Sequence, residues 1–159
     1  MAKKRPYTGT KDGAATGKRP GTEWLVRALD RRWGLTNLGT WVVRDIRSKP
    51  GVLSVHATGR ALDTAYMNTP AARAKAVEVA NWLAANAATL GIEAVHDYAY
   101  GRYGRGWRCD RAKWKRYTKR NNAGSVGGRW LHVELTPAMA DNLKAISNAW
   151  HATPKPDKG

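Results

Sequence analysis

The chain of 159 residues has a single cysteine, Cys109, which excludes an internal disulfide and a cysteine-based zinc knuckle. It lacks any apolar run of roughly 18 residues, the least that crosses a bilayer, so no segment is expected to span a membrane. Acidic residues are scarce: 12 Asp and Glu stand against 28 Lys and Arg, a formal net charge of +16. Such a surface attracts polyanions, whether nucleic acid, anionic cell-wall polymers or membrane surfaces. The opening MAKKRPYTGTKDG is basic like the start of a signal peptide but has no apolar segment behind it. The protein is therefore expected to be made in the cytoplasm, with any outside role depending on release by other means.

The length suits one domain with a real core. Residues 1–21, rich in Lys, Arg, Gly, Thr and Pro, read as a disordered basic arm; 22–152 read as the folded domain and 153–159 as a tail. Thr22 is the expected cap of a helix from Glu23 to about Trp33, stopped by Gly34. Trp41, Val42, Val43 and Ile46 form a second short apolar element ending at Lys49-Pro50-Gly51. Strands are expected over Val52–His56 and from about Arg60 to Tyr66, with a helix opened by Thr69-Pro70 and closed by Gly91. Ile92–Tyr98 reads as a strand, 99–128 as a long Gly- and Arg-rich loop, Trp130–Leu135 as a final strand, and Thr136-Pro137 opens a last helix to about Trp150. Helices flanking a small, largely antiparallel sheet make the expected class α+β.

The stretch SVHATGRALDTAY places His56 and Asp63 seven residues apart with a glycine between them. A turn at Ala57-Thr58-Gly59 would end one strand at His56, start the next near Arg60, and aim both side chains at one spot. His132, in the middle of WLHVEL, completes a possible His-Asp-His set. Three N or O ligands with a fourth position open to water are the donor set of catalytic zinc. Spacing alone also allows three unrelated polar residues that cap strands and turns.

Ser54-x-His56-x-x-Gly59-x-Ala61-x-Asp63 resembles the SxHxxGxAxD motif of the zinc D-alanyl-D-alanine peptidases, the VanY-type family that includes many phage endolysins. The resemblance implies a small α+β fold with the site on its sheet, and zinc held by His56, Asp63 and His132. It also implies cleavage of a peptide bond in the stem or cross-bridge of bacterial peptidoglycan. Arg47 lies where relatives often carry an arginine that holds the substrate, and Ser54 and Trp130 are further candidate substrate contacts. Ser54 is better suited to hydrogen bonding beside His56 than to nucleophilic attack, because no base is placed to activate it.

The chain departs from the family at the general base. The usual glutamate three residues before the last histidine is replaced by Arg129, and the alternative histidine two residues before is Trp130. Arginine does not act as a base at ordinary pH. Glu134, His96 and Asp97 are the remaining candidates; Glu134 could alternatively orient a ligand imidazole.

The segment GRYGRGWRCDRAKWKRYTKRNN, residues 101–122, interleaves cations with Tyr103, Trp107, Trp114 and Tyr117. That composition suits a nucleic-acid groove and equally suits sugar rings and anionic wall polymers. The leading expectation is a zinc peptidase of peptidoglycan, released by a holin or carried in a virion. Its rivals are a nucleic-acid-binding protein or metal nuclease, and a degenerate peptidase fold that only binds.

Overall fold

The structure is a computed structural model that describes residues 2–120 and 125–156. It is an α+β fold, with an antiparallel sheet of six strands flanked by five helices among the described residues. The helices are α1 (Pro20–Trp33), α2 (Pro70–Ala85), α3 (Ala87–Leu90), α4 (Pro137–Asp141) and α5 (Leu143–Ala152). The strands are β1 (Thr36–Gly39), β2 (Asp45–Ile46), β3 (Lys49–Leu53), β4 (Ala61–Ala65), β5 (Ile92–Asp97), β6 (Arg105–Arg108), β7 (Lys113–Arg116) and β8 (Trp130–Leu135). The sheet order is β1-β4-β8-β5-β6-β7, and β2 pairs with β3 in a separate hairpin.

Strand alternation splits the sheet into two faces. Leu62, Val95, Leu131, Val133 and Leu135 join the core with Leu25, Leu29, Val79, Leu83 and Ile146 from the helices. Thr64 points the same way and donates to Asp30 of α1 at 2.7 Å. Asp63, His132 and Glu134 therefore face the opposite side, away from the helices.

That opposite side is covered by the N-terminal arm, which corrects the expectation of disorder. Arg5 donates from its backbone to the Cys109 carbonyl at 2.9 Å, and its guanidinium reaches the carbonyls of Ala87 (3.2 Å) and Ile92 (2.5 Å). Thr8 donates twice to Glu93, through its backbone at 3.1 Å and its hydroxyl at 2.6 Å. Arg60, fully buried, binds Asp12 at 2.9 and 3.0 Å, the Leu135 carbonyl at 2.5 Å, and the Gly9 carbonyl. Low hydrophobicity is a sound sign of disorder only when polar groups have no fixed partners. Here the buried Arg60 and Glu93 need partners, and the arm supplies them.

Other boundaries move for local reasons. Helix α1 starts at Pro20 rather than Glu23, because proline presets the first helical turn; Thr22 is buried inside the helix and caps nothing. Gly34, Gly91 and Thr69 do terminate or cap as expected. Asn86 interrupts the long second helix, and Asn142, accepting from the Ala145 amide at 2.9 Å, divides the last one. Val42 and Val43 are exposed rather than core-forming. The predicted loop 99–128 contains the β6–β7 hairpin, in which Trp107 stands opposite Trp114; its residues 121–124 lie outside the described residues. In the tail, Thr153 is buried and the Pro154 carbonyl accepts from the Trp82 indole at 2.9 Å, while 157–159 lie outside the described residues.

Candidate metal centre

Ser54 ends the run out of β3 and caps a 3-10 turn over Val55–Thr58, its hydroxyl accepting from the His56 amide at 3.3 Å. His56 thus sits on this turn and not at the end of a strand. Gly59 closes the turn at φ +73°, where a Cβ would also meet the Arg19 side chain at 2.9 Å. Strand β4 then carries Asp63 directly opposite His132 of β8, and His132 opposite His96 of β5.

His56, Asp63 and His132 converge, with one ligand atom from each lying within 4.8 Å of the others, and form a cluster that could hold a metal ion. Asp63 lies between the two imidazoles, Oδ2 at 3.1 Å from His56 Nε2 and Oδ1 at 3.0 Å from His132 Nδ1. The far side of each ring is also fixed. His56 Nδ1 donates to the Thr40 carbonyl at 2.7 Å, and His132 Nε2 donates to Glu134 Oε1 at 2.9 Å. Donating one ring N–H to a carbonyl or carboxylate leaves the other nitrogen free to ligate, which is how metal-bound histidines are oriented. The Tyr7 hydroxyl in turn donates to Glu134 Oε2 at 2.5 Å. One hydrogen-bonded line thus runs Tyr7–Glu134–His132–Asp63–His56–Thr40.

The line sets the charges. Burial works against the His132 cation, but Asp63 and Glu134 outweigh it and push its pKa up to about 10. Burial likewise opposes ionisation of the two carboxylates, and the imidazoles overcome it: Glu134 is held down at about 2 and Asp63 far below its usual range. His96 goes the other way, pushed down to about 4 by burial and by its neighbour His132. Its Nδ1 meets the Tyr117 hydroxyl at 2.5 Å, and Gly106 makes room for that contact, since a Cβ there would meet the hydroxyl at 2.0 Å.

The other predicted site residues separate. Asp97 is not in the cluster: its position on β5 turns it to the helical side, where Arg73 binds it at 2.9 Å and Arg105 approaches to 3.8 Å. Glu134 lies behind His132 with both oxygens occupied, the place of an orienting group rather than of a free base. Arg47 is exposed in the β2–β3 turn and makes no hydrogen bond to the cluster among the described residues. Arg129, at the position of the family's glutamate, is exposed. Trp130 packs edge-on against Tyr98 at 5.5 Å between ring centroids, at the margin of the cluster.

Sequence reasoning missed Tyr7, Thr40 and Tyr98. Tyr98 stacks on His96, and burial and then the charge of Asp63 raise its pKa, while Arg44 acts on it in the opposite sense. Nothing in local spacing announces Tyr7 or Thr40, which lie 127 and 16 residues from the side chains they hold.

The described helices include none long and apolar enough to cross a membrane. No curated protein and no solved structure matches the chain significantly. A family model, VldE, C-terminal domain, matches residues 14–125; the match includes His56, Asp63 and His96 and stops before β8 and His132. Since the match takes in well over half of the sequence, the chain belongs to the VldE C-terminal domain family.

Proposed function

We propose that this protein is a zinc-dependent peptidase acting on the peptides of bacterial peptidoglycan. The observation that carries the reading is the meeting of the motif residues His56 and Asp63 with His132, 69 positions beyond Asp63. The donor set fits: two histidines with their outer nitrogens fixed and one carboxylate are a zinc ligand set, and ~2.1 Å bonds in a tetrahedron separate the ligand atoms by roughly 3.4 Å. Zinc there would supply a Lewis acid toward a peptide carbonyl and toward water.

The chain's own residues divide the remaining work. Glu134 and Thr40 hold the two imidazoles in orientation. His96, next to His132 and anchored through Nδ1 to Tyr117, is our choice for proton transfer in place of the family's glutamate. Arg47, exposed in the β2–β3 turn, is the candidate for holding a substrate carboxylate, through the bidentate pairing a guanidinium offers. Adsorption to anionic wall polymer falls to the β6–β7 hairpin. Residues 101–120 hold nine Lys and Arg and one Asp, a net +8 that is half of the whole chain's +16. Contact with the wall follows release from the cell or carriage in a virion.

The test is metal analysis of the purified protein followed by digestion of purified peptidoglycan. One zinc per chain, new peptide amino termini, and loss of both on chelation are expected. Absence of bound zinc under metal-replete conditions overturns the reading. A second reading is favoured by the engagement of both Glu134 oxygens and by the exposed Arg129: a fold that keeps its metal and binds wall without cleaving it. Zinc retained with no new termini selects that alternative.

A further inference from the structure

Across the sheet from the metal cluster, α1 and α5 frame an open cleft of about 500 Å³. Its walls include Trp24, Arg31 and Arg32 from α1, and Trp150, His151 and Lys155 from α5 and the segment after it. Among the described residues, no carboxylate lines it. The two acids of α1 are turned elsewhere, Glu23 onto the Thr40 hydroxyl and Asp30 onto Asn37 and Thr64. Among the described residues, none of Arg31, Arg32 and Lys155 has an ion-pair partner.

Arg32 is the unusual member. Its guanidinium lies 3.8 Å over the Trp150 ring, with Trp33 and Trp82 at 5.3 and 5.4 Å. Its Nη1 is sealed from solvent without a hydrogen-bond partner. Indole faces attract a guanidinium but supply no counter-charge, so among the described residues a half-buried cation at the cleft has no carboxylate partner. Trp24 meets Trp150 edge-on at 5.9 Å and stays half-exposed, leaving one indole as a platform beside three cations.

We propose that this cleft binds an anionic carbohydrate: a sugar ring packed on Trp24, with a phosphate held by Arg31, Arg32 and Lys155. The chemistry of the lining selects this class. Hydrogen-bond donors predominate, which suits phosphate and hydroxyl oxygens, and a guanidinium fork matches two phosphate oxygens at once. A nucleobase needs acceptors for its own amino groups as well as a stacking face, and the lining offers few. Three cations and a single indole favour a compact ring with one strong anion over an extended apolar ligand. This site is independent of the metal cluster and of any peptidase activity.

The experiment is calorimetric titration of the full chain with glucose 6-phosphate, glucose, inorganic phosphate and AMP. Glucose 6-phosphate is expected to bind at least ~10-fold more tightly than inorganic phosphate or AMP, and glucose without its phosphate to give no measurable heat. Arg31→Gln, at an exposed position where folding is not at stake, is expected to weaken binding by ~10-fold, and Arg32→Gln by more. Lys49→Gln, at an exposed position on β3 away from the cleft, is expected to bind glucose 6-phosphate like the parent protein. The proposal is overturned if glucose 6-phosphate gives no heat, if inorganic phosphate or AMP binds as well, or if Arg31→Gln leaves affinity unchanged. Loss of binding in Lys49→Gln would overturn the location.

Discussion

The two faces of β8 are cut from the same six residues and do opposite things. Leu131, Val133 and Leu135 are fully buried against the helices, where only volume and shape matter. His132 and Glu134 are nearly as enclosed, at 8% and 3% exposure, but their cover is a hydrogen-bonding strap from the N-terminus and the turn that bears His56. Burying imidazoles and carboxylates costs several kcal/mol unless each is paired. On the polar face its members satisfy one another from Tyr7 to Thr40. One face tolerates a change of chemistry poorly, the other a change of size.

The largest expected effect removes a ligand from the polar face. His132→Ala should abolish metal retention after gel filtration, and with it any peptidoglycan hydrolysis. Metal analysis reads this directly, and full retention by the variant would show that the cluster is not the metal site. One residue earlier, Leu131→Ala should cost about 2–5 kcal/mol of folding stability through the cavity it leaves. Bound metal per folded chain should be unchanged there, as denaturant unfolding paired with metal analysis would report. If Leu131→Ala loses metal while folded, the two faces are not separable.

A smaller effect tests the strap. Tyr7→Phe removes only the hydroxyl that fixes Glu134, so metal affinity should fall by about 10-fold, the lower end for a group that orients a metal ligand. Chelator competition measures it, and circular dichroism should show an intact fold. Equal affinity in parent and variant would make Tyr7 a mere packing residue.

The smallest effect is in pH. Without metal, Asp63 and Glu134 have folded pKa values below their ordinary ones, so their contribution is present above about pH 5 and lost as pH falls toward 2. His132 has a folded value raised to about 10 from 6.5, so its contribution is full below that ordinary value and lost as pH rises through the folded one. Thermal midpoints of the metal-free protein should therefore peak at about pH 5–6.5 and decline on both sides. Bound metal, which holds a neutral imidazole, should remove the alkaline decline. A flat profile without metal would mean that the cluster's charges are already compensated by water.

Much of this arrangement was readable before any coordinates. Helix stops at Gly34 and Gly91, the Thr69 cap, the β5 and β8 strands and the α+β class follow from short-range backbone preferences and from periodicity, which local sequence encodes. The convergence of His56, Asp63 and His132, a cluster that could hold a metal ion, was legible because a ten-residue motif carries two of its members and a mid-strand histidine the third. The arm was misread because composition reports what a segment can bury, not what a distant Arg60 or Glu134 needs from it. The β6–β7 hairpin was hidden for a related reason. Its Gly and Arg content resembles a loop, and only pairing with β5 turns it into sheet.

What the sequence determined by itself was the supply: two histidines and an aspartate in a recognisable frame, a basic excess, and strands whose alternate residues differ in kind. Tertiary structure decided the assignments. It put Asp97 on the helical side with Arg73 although His96, next to it, borders the cluster, and it set Glu134 behind His132 rather than before it. It also brought Tyr7 across 127 residues to hold Glu134 in place, and left Arg32 without a carboxylate among the described residues. The physical reason is range. Backbone conformation depends on neighbours a few residues away, whereas the partner of a buried polar group is whatever the completed sheet brings within hydrogen-bonding distance.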